Sequence, residues 1–154
     1  MEEKETLDGM ETYKKQVQPV LKGTVAWKEN LLFEGRTQVG YEFEMDGNIQ
    51  WGCAPSESLL LSLAGCMGID VVSFLKKMRV ELASLKIDIE GERNPTPPQY
   101  FKAVNMRIHA SGKGLTENKM KRAVSLSHEK YCSVYHSLRK DLKVHVDYEI
   151  QGLQ

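Results

Sequence analysis

Three cysteines, Cys53, Cys66 and Cys132, are the residues of this sequence with the most distinctive chemistry. A cysteine thiolate is a nucleophile that can be oxidised to a sulfenic acid, and a second thiol can then condense with it to form a disulfide. Free cysteines are also common as small buried apolar residues, so residue type alone leaves a packing role open. We expect Cys53, which stands in a loop, to be incidental or a site of adventitious oxidation.

Cys66 lies inside an apolar run at residues 55–78 that predicts the central helix of the fold. The run has no broad polar face, which is typical of a helix enclosed by the rest of its protein. Gly65 and Gly68 flank the cysteine, and glycines inside a helix indicate close approach of another backbone or of a ligand. The run is interrupted by polar residues and falls short of the roughly 20 apolar residues of a membrane span, so no membrane association is expected.

The remaining elements predict an α+β fold around this helix. A helical extension is expected at residues 1–22 and one domain at residues 23–154. The domain should contain three short strands, the central helix, a hairpin with a proline-rich loop, one or two helices after Thr116 and Cys132, and a closing strand. The predicted strands are residues 24–28, 31–33, 40–45, 82–92, 101–110 and 144–150.

Composition narrows the class of protein. The 154 residues suit one domain with a short extension, and 21 basic residues balance 21 acidic ones. This balance gives no basic face for nucleic acid. An odd number of cysteines, with no charged and apolar leader at the start, predicts a cytoplasmic protein without a structural disulfide framework.

Two motifs in the sequence carry a resemblance to a known family. The segments PSESLLLSLAGC at residues 55–66, IDVV at 69–72 and SHEKYCSV at 127–134 resemble the OsmC/Ohr family of thiol-dependent hydroperoxide reductases, in particular its YhfA-like branch. The resemblance covers roughly residues 23–150. It implies an intertwined homodimer with curved antiparallel sheets wrapped around the central helices, no cofactor, Cys66 as peroxidatic thiol and Cys132 as resolving thiol, an organic hydroperoxide as substrate and an external thiol as reductant.

The family also activates its thiol with an arginine paired to a glutamate, and Arg36 and Glu57 are the residues that best fit these roles. In the peroxidase branches the acid directly follows the helix-opening proline, whereas here Ser56 intervenes and Glu57 comes one place later. At about 100° per residue, this displacement turns Glu57 to the side opposite Cys66. Asp70, one turn after Cys66, would oppose thiolate formation and is expected to bind a backbone group or an arginine instead.

Two alternatives remain open. His128, Cys132 and His136 are spaced as on one helix face and, with Cys66, offer ligands for zinc, but three positions over two turns (about 12 Å) cannot meet one ion on a regular helix. No metal is therefore expected, with His128 as a polar partner of Cys132 and His136 at the surface. The second alternative is a binding module of the same fold that holds a small hydrophobic ligand at the dimer cleft, with its cysteines merely packed.

Overall fold

The computed structural model describes residues 19–152. These divide into two compact units, one ending at Leu59 and the other beginning at Leu60. Most of the helical extension predicted at residues 1–22 lies outside the described residues, and residues 19–22 form neither helix nor strand.

The first unit contains an antiparallel sheet of three strands in the order β1-β2-β3: β1 (Gly23–Glu29), β2 (Leu32–Thr37) and β3 (Glu42–Asp46). The register places Trp27 opposite Phe33, so alternation puts apolar side chains on one face of the sheet. After β3, the Asp46 carboxylate accepts hydrogen bonds from the backbone N–H groups of Asn48, Gln50 and Trp51 at 2.8 to 3.1 Å. These hydrogen bonds lower the pKa of Asp46, and the bond from Asn48 has the largest effect. They also fix the loop that leads into the central helix.

Helix α1 (Pro55–Lys77) is the predicted central helix, and it begins at the predicted proline. Its buried residues form one stripe along the helix: Leu63, Ala64, Met67, Gly68, Asp70, Val71, Phe74 and Leu75. The expectation of complete enclosure is wrong for the described protomer, since Leu61, Ile69 and Val72 are 60%, 55% and 39% exposed. They lie on a face of α1 that the described residues leave uncovered.

In length and hydropathy α1 could also cross a membrane, contrary to the expectation that its polar interruptions leave it too short. Of its most apolar window, 44% is buried within the protein. The core helix of a soluble protein meets the same criterion, so the criterion does not separate the two environments.

The second unit contains helices and a sheet of three strands in the order β4-β5-β6: β4 (Glu81–Arg93), β5 (Phe101–Lys113) and β6 (Lys143–Ile150). The predicted antiparallel hairpin of β4 and β5 is present, and β6 pairs with β5 in parallel. Between β5 and β6 lie α2 (Glu117–Leu126), a π-helical turn (Ser127–Tyr131) and the short α3 (Ser133–Ser137). The core contains residues from α1, β5 and α2 and the cysteine that follows the π-helical turn: Met67, Val71, Phe74, Met106, Ile108, Met120, Ala123 and Cys132.

The two helix glycines of α1 have different surroundings. A Cβ on Gly68 would lie 3.2 Å from Ile87 Cδ1, so this glycine makes room for a side chain of β4, whereas the sequence indicated close approach of another backbone or of a ligand. A Cβ on Gly65 would meet no described atom within 4 Å. Gly65 therefore lies on the uncovered face of α1, where the expected close neighbour is not among the described residues.

Candidate active site

The second unit brings Cys66 and Cys132 together, although they come from different elements. Their sulfur atoms and a carboxylate oxygen of Asp70 all lie within 4.8 Å of one another. Cys66 and Asp70 are one turn apart on α1, so they project in similar directions. Cys132 is supplied by the chain between α2 and α3, which packs onto the same stretch of α1.

The π-helical turn sets the position of Cys132. Cys132 N donates to Ser127 O at 2.8 Å and closes the wide turn, and the backbone then becomes extended at Cys132. Cys132 caps α3, with its sulfur accepting a hydrogen bond from Tyr135 N at 3.5 Å. Because the helix is interrupted here, His128, Cys132 and His136 do not share a regular helix face. The potential metal-ligand group among residues 19–152 contains Asp70 and the two cysteines instead.

The two thiols differ in exposure and electrostatics. Cys132 is fully buried, and this burial raises the pKa of its thiol to about 12. The bond from Tyr135 N opposes the increase, whereas neighbouring Cys66 and the negative charge of Asp70 add to it. Cys66 is half-buried, and its sulfur lies 3.7 Å from Ser133 Oγ. Near neutral pH, Cys132 is thus held as a protonated thiol beside a more accessible one.

Asp70 has a partner that the sequence did not indicate. It is 2% exposed and accepts a hydrogen bond from Ser127 Oγ at 2.9 Å. The expectation of a backbone or arginine partner missed this hydroxyl. Ser127 and Ser133 both belong to the motif around Cys132, and their hydroxyls were the available signal for polar contacts on either side of the cysteine.

The two histidines differ. His128 packs edge-on against Tyr135 at 4.5 Å between ring centres, and burial lowers its pKa. Its Nε2 is buried and has no hydrogen-bond partner among the described residues, so the expected polar contact with Cys132 is not made through this atom. His136 is exposed, as predicted.

Arg36 and Glu57, the predicted activating pair, each have a different partner in the first unit. Arg36 lies opposite Glu42 in the β2-β3 register, and its Nε is 3.3 Å from Glu42 Oε1. Glu57 Oε2 accepts a hydrogen bond from Ala54 N at 2.8 Å, which satisfies a backbone donor at the start of α1. Their catalytic roles therefore remain predictions. Cys53 is half-buried, with its sulfur 3.9 Å from Glu44 O.

Comparison with known proteins supports the resemblance of the motifs. The family model described as OsmC-like protein matches residues 46–147. Protein YhfA of Escherichia coli strain K12 is 35% identical over 131 residues, which cover 84% of this chain and 98% of the relative.

Solved structures share the fold. A hypothetical protein from Aquifex aeolicus has a TM-score of 0.81 at 28% identity, covering 89% of this chain and 100% of that chain. An organic hydroperoxide resistance protein OsmC from Legionella pneumophila, also titled a predicted redox protein, has a TM-score of 0.62 at 18% identity, covering 87% and 99%. The second likeness concerns the fold alone. With the family model spanning both cysteine motifs and YhfA aligned over nearly its full length, this chain belongs to the OsmC-like protein family.

Proposed function

We propose that this protein is a thiol-dependent peroxidase that reduces organic hydroperoxides, with Cys66 as the nucleophile and Cys132 as the resolving thiol. The observation that carries the proposal is the close approach of the two sulfurs, with Cys66 half-buried and Cys132 fully buried beside it. The Legionella protein that shares this fold is named an organic hydroperoxide resistance protein, and we extend that reaction class to this chain as part of the proposal.

The proposed reaction has three steps. The Cys66 thiolate attacks the terminal oxygen of the hydroperoxide, the O–O bond breaks, and the alcohol leaves with a proton while Cys66 becomes a sulfenic acid. Cys132 then loses its proton and attacks the Cys66 sulfur, which forms the disulfide and releases water. An external dithiol reduces this disulfide and is itself oxidised, which returns both cysteines to thiols.

The surroundings of Cys132 suit a resolving thiol. Since its pKa is raised to about 12, it does not compete with Cys66 for the peroxide near neutral pH. The Asp70 carboxylate lies within 4.8 Å and can accept the proton that Cys132 releases during disulfide formation. Asp70 would thus oppose ionisation of Cys132 before Cys66 is oxidised and assist the later formation of the disulfide.

We extend the proposal to the substrate, the assembly and the location of the protein. Cys66 packs against the apolar core, which favours alkyl or lipid hydroperoxides over hydrogen peroxide. We further propose a homodimer, because the face of α1 that carries Leu61, Ile69 and Val72 is apolar and uncovered in the described protomer. We also propose a cytoplasmic location, where a reducing environment would keep the free cysteines as thiols.

A dye-coupled assay with cumene hydroperoxide and a dithiol tests the proposal. Wild-type protein and Cys53→Ser should turn over equally, since Cys53 lies outside the site. Cys66→Ser should be inactive, and Cys132→Ser should form a sulfenic acid that a dimedone probe captures. Undiminished turnover by Cys66→Ser would overturn the assignment.

The alternative is a binding module for a small hydrophobic ligand. It is favoured by the partners of Arg36 and Glu57, which contact Glu42 and the Ala54 backbone rather than forming the predicted pair with each other. Mass spectrometry after one equivalent of hydroperoxide separates the two functions. The peroxidase forms a Cys66–Cys132 disulfide, whereas the binding module leaves both thiols reduced.

A further inference from the structure

We propose that Cys66, Asp70 and Cys132 in the reduced protein bind one thiophilic divalent cation of the zinc class. Two sulfurs and one carboxylate oxygen within 4.8 Å of one another provide three ligands of the types that zinc prefers. The proposal does not depend on peroxidase activity, although both use the same two sulfurs.

The spacing of the sulfurs suits a shared cation at least as well as a disulfide. With Zn–S bonds of about 2.3 Å in a tetrahedral site, the two sulfurs would be roughly 3.8 Å apart. A disulfide requires about 2.05 Å. From a starting separation of no more than 4.8 Å, coordination needs the smaller movement of Cys66 and Cys132.

The charges and outer contacts also suit a cation. Asp70 places a carboxylate that is 2% exposed beside two thiols, and each thiol gives up one proton as it binds the metal. Ser127 Oγ donates to Asp70 Oδ2 at 2.9 Å, the type of contact that orients a ligating carboxylate. Because Cys66 is half-buried, the fourth position can be filled by water from its open side.

Metal binding and disulfide formation exclude each other, since both occupy the sulfurs of Cys66 and Cys132. A bound cation would therefore hold the pair reduced and block attack on a peroxide. Its release would return the pair to redox chemistry. The cluster would thus couple the thiol chemistry of the protein to the supply of a thiophilic metal.

Titration of the reduced, chelator-treated full chain with Co²⁺ and then Zn²⁺ under anaerobic conditions tests the proposal. Wild-type protein and Cys53→Ser should bind one Co²⁺ per chain, with the thiolate-to-metal charge-transfer band and visible bands of a tetrahedral site, and Zn²⁺ should displace it. Cys66→Ser and Cys132→Ser should lose the charge-transfer intensity of one thiolate. Asp70→Asn, which keeps both thiols, should weaken binding at least tenfold.

Binding that is absent, or unchanged in Cys66→Ser, would overturn the metal site. Cys66 is only half-buried, so its serine variant remains informative even if Asp70→Asn fails to fold, as judged by circular dichroism. Mass spectrometry of metal-free protein after peroxide treatment gives an independent result. If the protein forms the disulfide but binds no metal, the cation site is rejected and the peroxidase proposal stands. If it binds metal but forms no disulfide, the peroxidase proposal is rejected and the cation site stands.

Discussion

Cys66 and Cys132 are adjacent, but only Cys132 is fully enclosed, and this difference determines how each can react. Burial stabilises the neutral form of the Cys132 thiol, and Asp70 disfavours its thiolate further. Cys66 is half-buried, and the hydroxyl of Ser133 lies 3.7 Å from its sulfur. The proposed order of reaction, Cys66 before Cys132, follows from this asymmetry.

The raised pKa of Cys132 predicts a loss of stability at alkaline pH. The folded value is about 12 against 9.0 for an unperturbed thiol, so the unfolded chain releases the Cys132 proton first. This contribution to stability is fully present below pH 9 and is lost as the pH rises towards 12, amounting to roughly 2 to 4 kcal/mol. Urea denaturation at pH 8, 10 and 11 should show a steeper decline for wild-type protein than for Cys132→Ser, whose hydroxyl does not titrate. Parallel declines would contradict the prediction.

Asp70→Asn should lower the pKa of Cys132, because the substitution removes a negative charge that opposes the thiolate. The ¹³Cβ chemical shift of cysteine, followed against pH by NMR in selectively labelled protein with Cys53→Ser and Cys66→Ser, reports Cys132 alone. The matched control is Asp141→Asn, which removes an exposed carboxylate paired with Arg139. An equal effect of both substitutions would show that Asp70 does not act locally.

At the scale of residues, the sequence predicts which two cysteines belong to the candidate site better than it predicts their contacts. The motifs pointed to Cys66 and Cys132, and the structure brings them together. The hydrogen bond between Ser127 and Asp70 joins residues 57 positions apart, so the hydroxyl in the motif indicates a polar contact but the local pattern does not identify its partner. The partner of Arg36 depends on which residue of β3 faces it, a matter of register that the sequence left open.

Among the elements, α1 and the β4-β5 hairpin were predictable because their signals are local: a long apolar run opened by a proline, and alternation on both sides of a proline-rich loop. The sheets were expected to be antiparallel, and this expectation is wrong for β6, which pairs with β5 in parallel; alternation reveals a strand but not the direction of its neighbour. The π-helical turn before Cys132 was also missed. The wide turn is defined by the backbone hydrogen bond from Cys132 N to Ser127 O, and the amino-acid composition of the segment does not distinguish it from an ordinary helix.

Glycine substitutions at two positions should differ sharply in their effect on stability. A Cβ on Gly112 of β5 would lie 2.6 Å from the backbone oxygen of Glu81, which a strand cannot easily move. Gly112→Ala should destabilise the protein by roughly 1 to 3 kcal/mol. Gly152→Ala, in the exposed residues after β6, is the matched control: its Cβ meets nothing within 4 Å, so its melting temperature should equal that of wild-type protein. Thermal unfolding of both variants measures the difference, and similar melting temperatures would contradict it.

At the scale of the whole molecule, the described residues leave an apolar surface of α1 uncovered. Gly65, Ile69 and Val72 line an open groove of about 620 Å³ together with Leu85 and Ile87 of β4. A contiguous apolar surface of this kind is normally an interaction site. The proposed homodimer provides a cover, because the same helix of a second copy presents an identical surface and a two-fold interface pairs such surfaces with each other.

Ile69→Glu should therefore separate the proposed dimer into monomers. Ile69 is 55% exposed in the described protomer, so a carboxylate there costs the isolated protomer little, whereas burial between two copies would bring two like charges together without partners. Size-exclusion chromatography with light scattering should give twice the chain mass for wild-type protein and the chain mass for the variant, with unchanged circular dichroism. Lys121→Glu, on the exposed side of α2, is the control and should stay dimeric. A monomeric wild-type protein, or a dimeric Ile69→Glu variant, would mean that a second copy does not cover this face of α1.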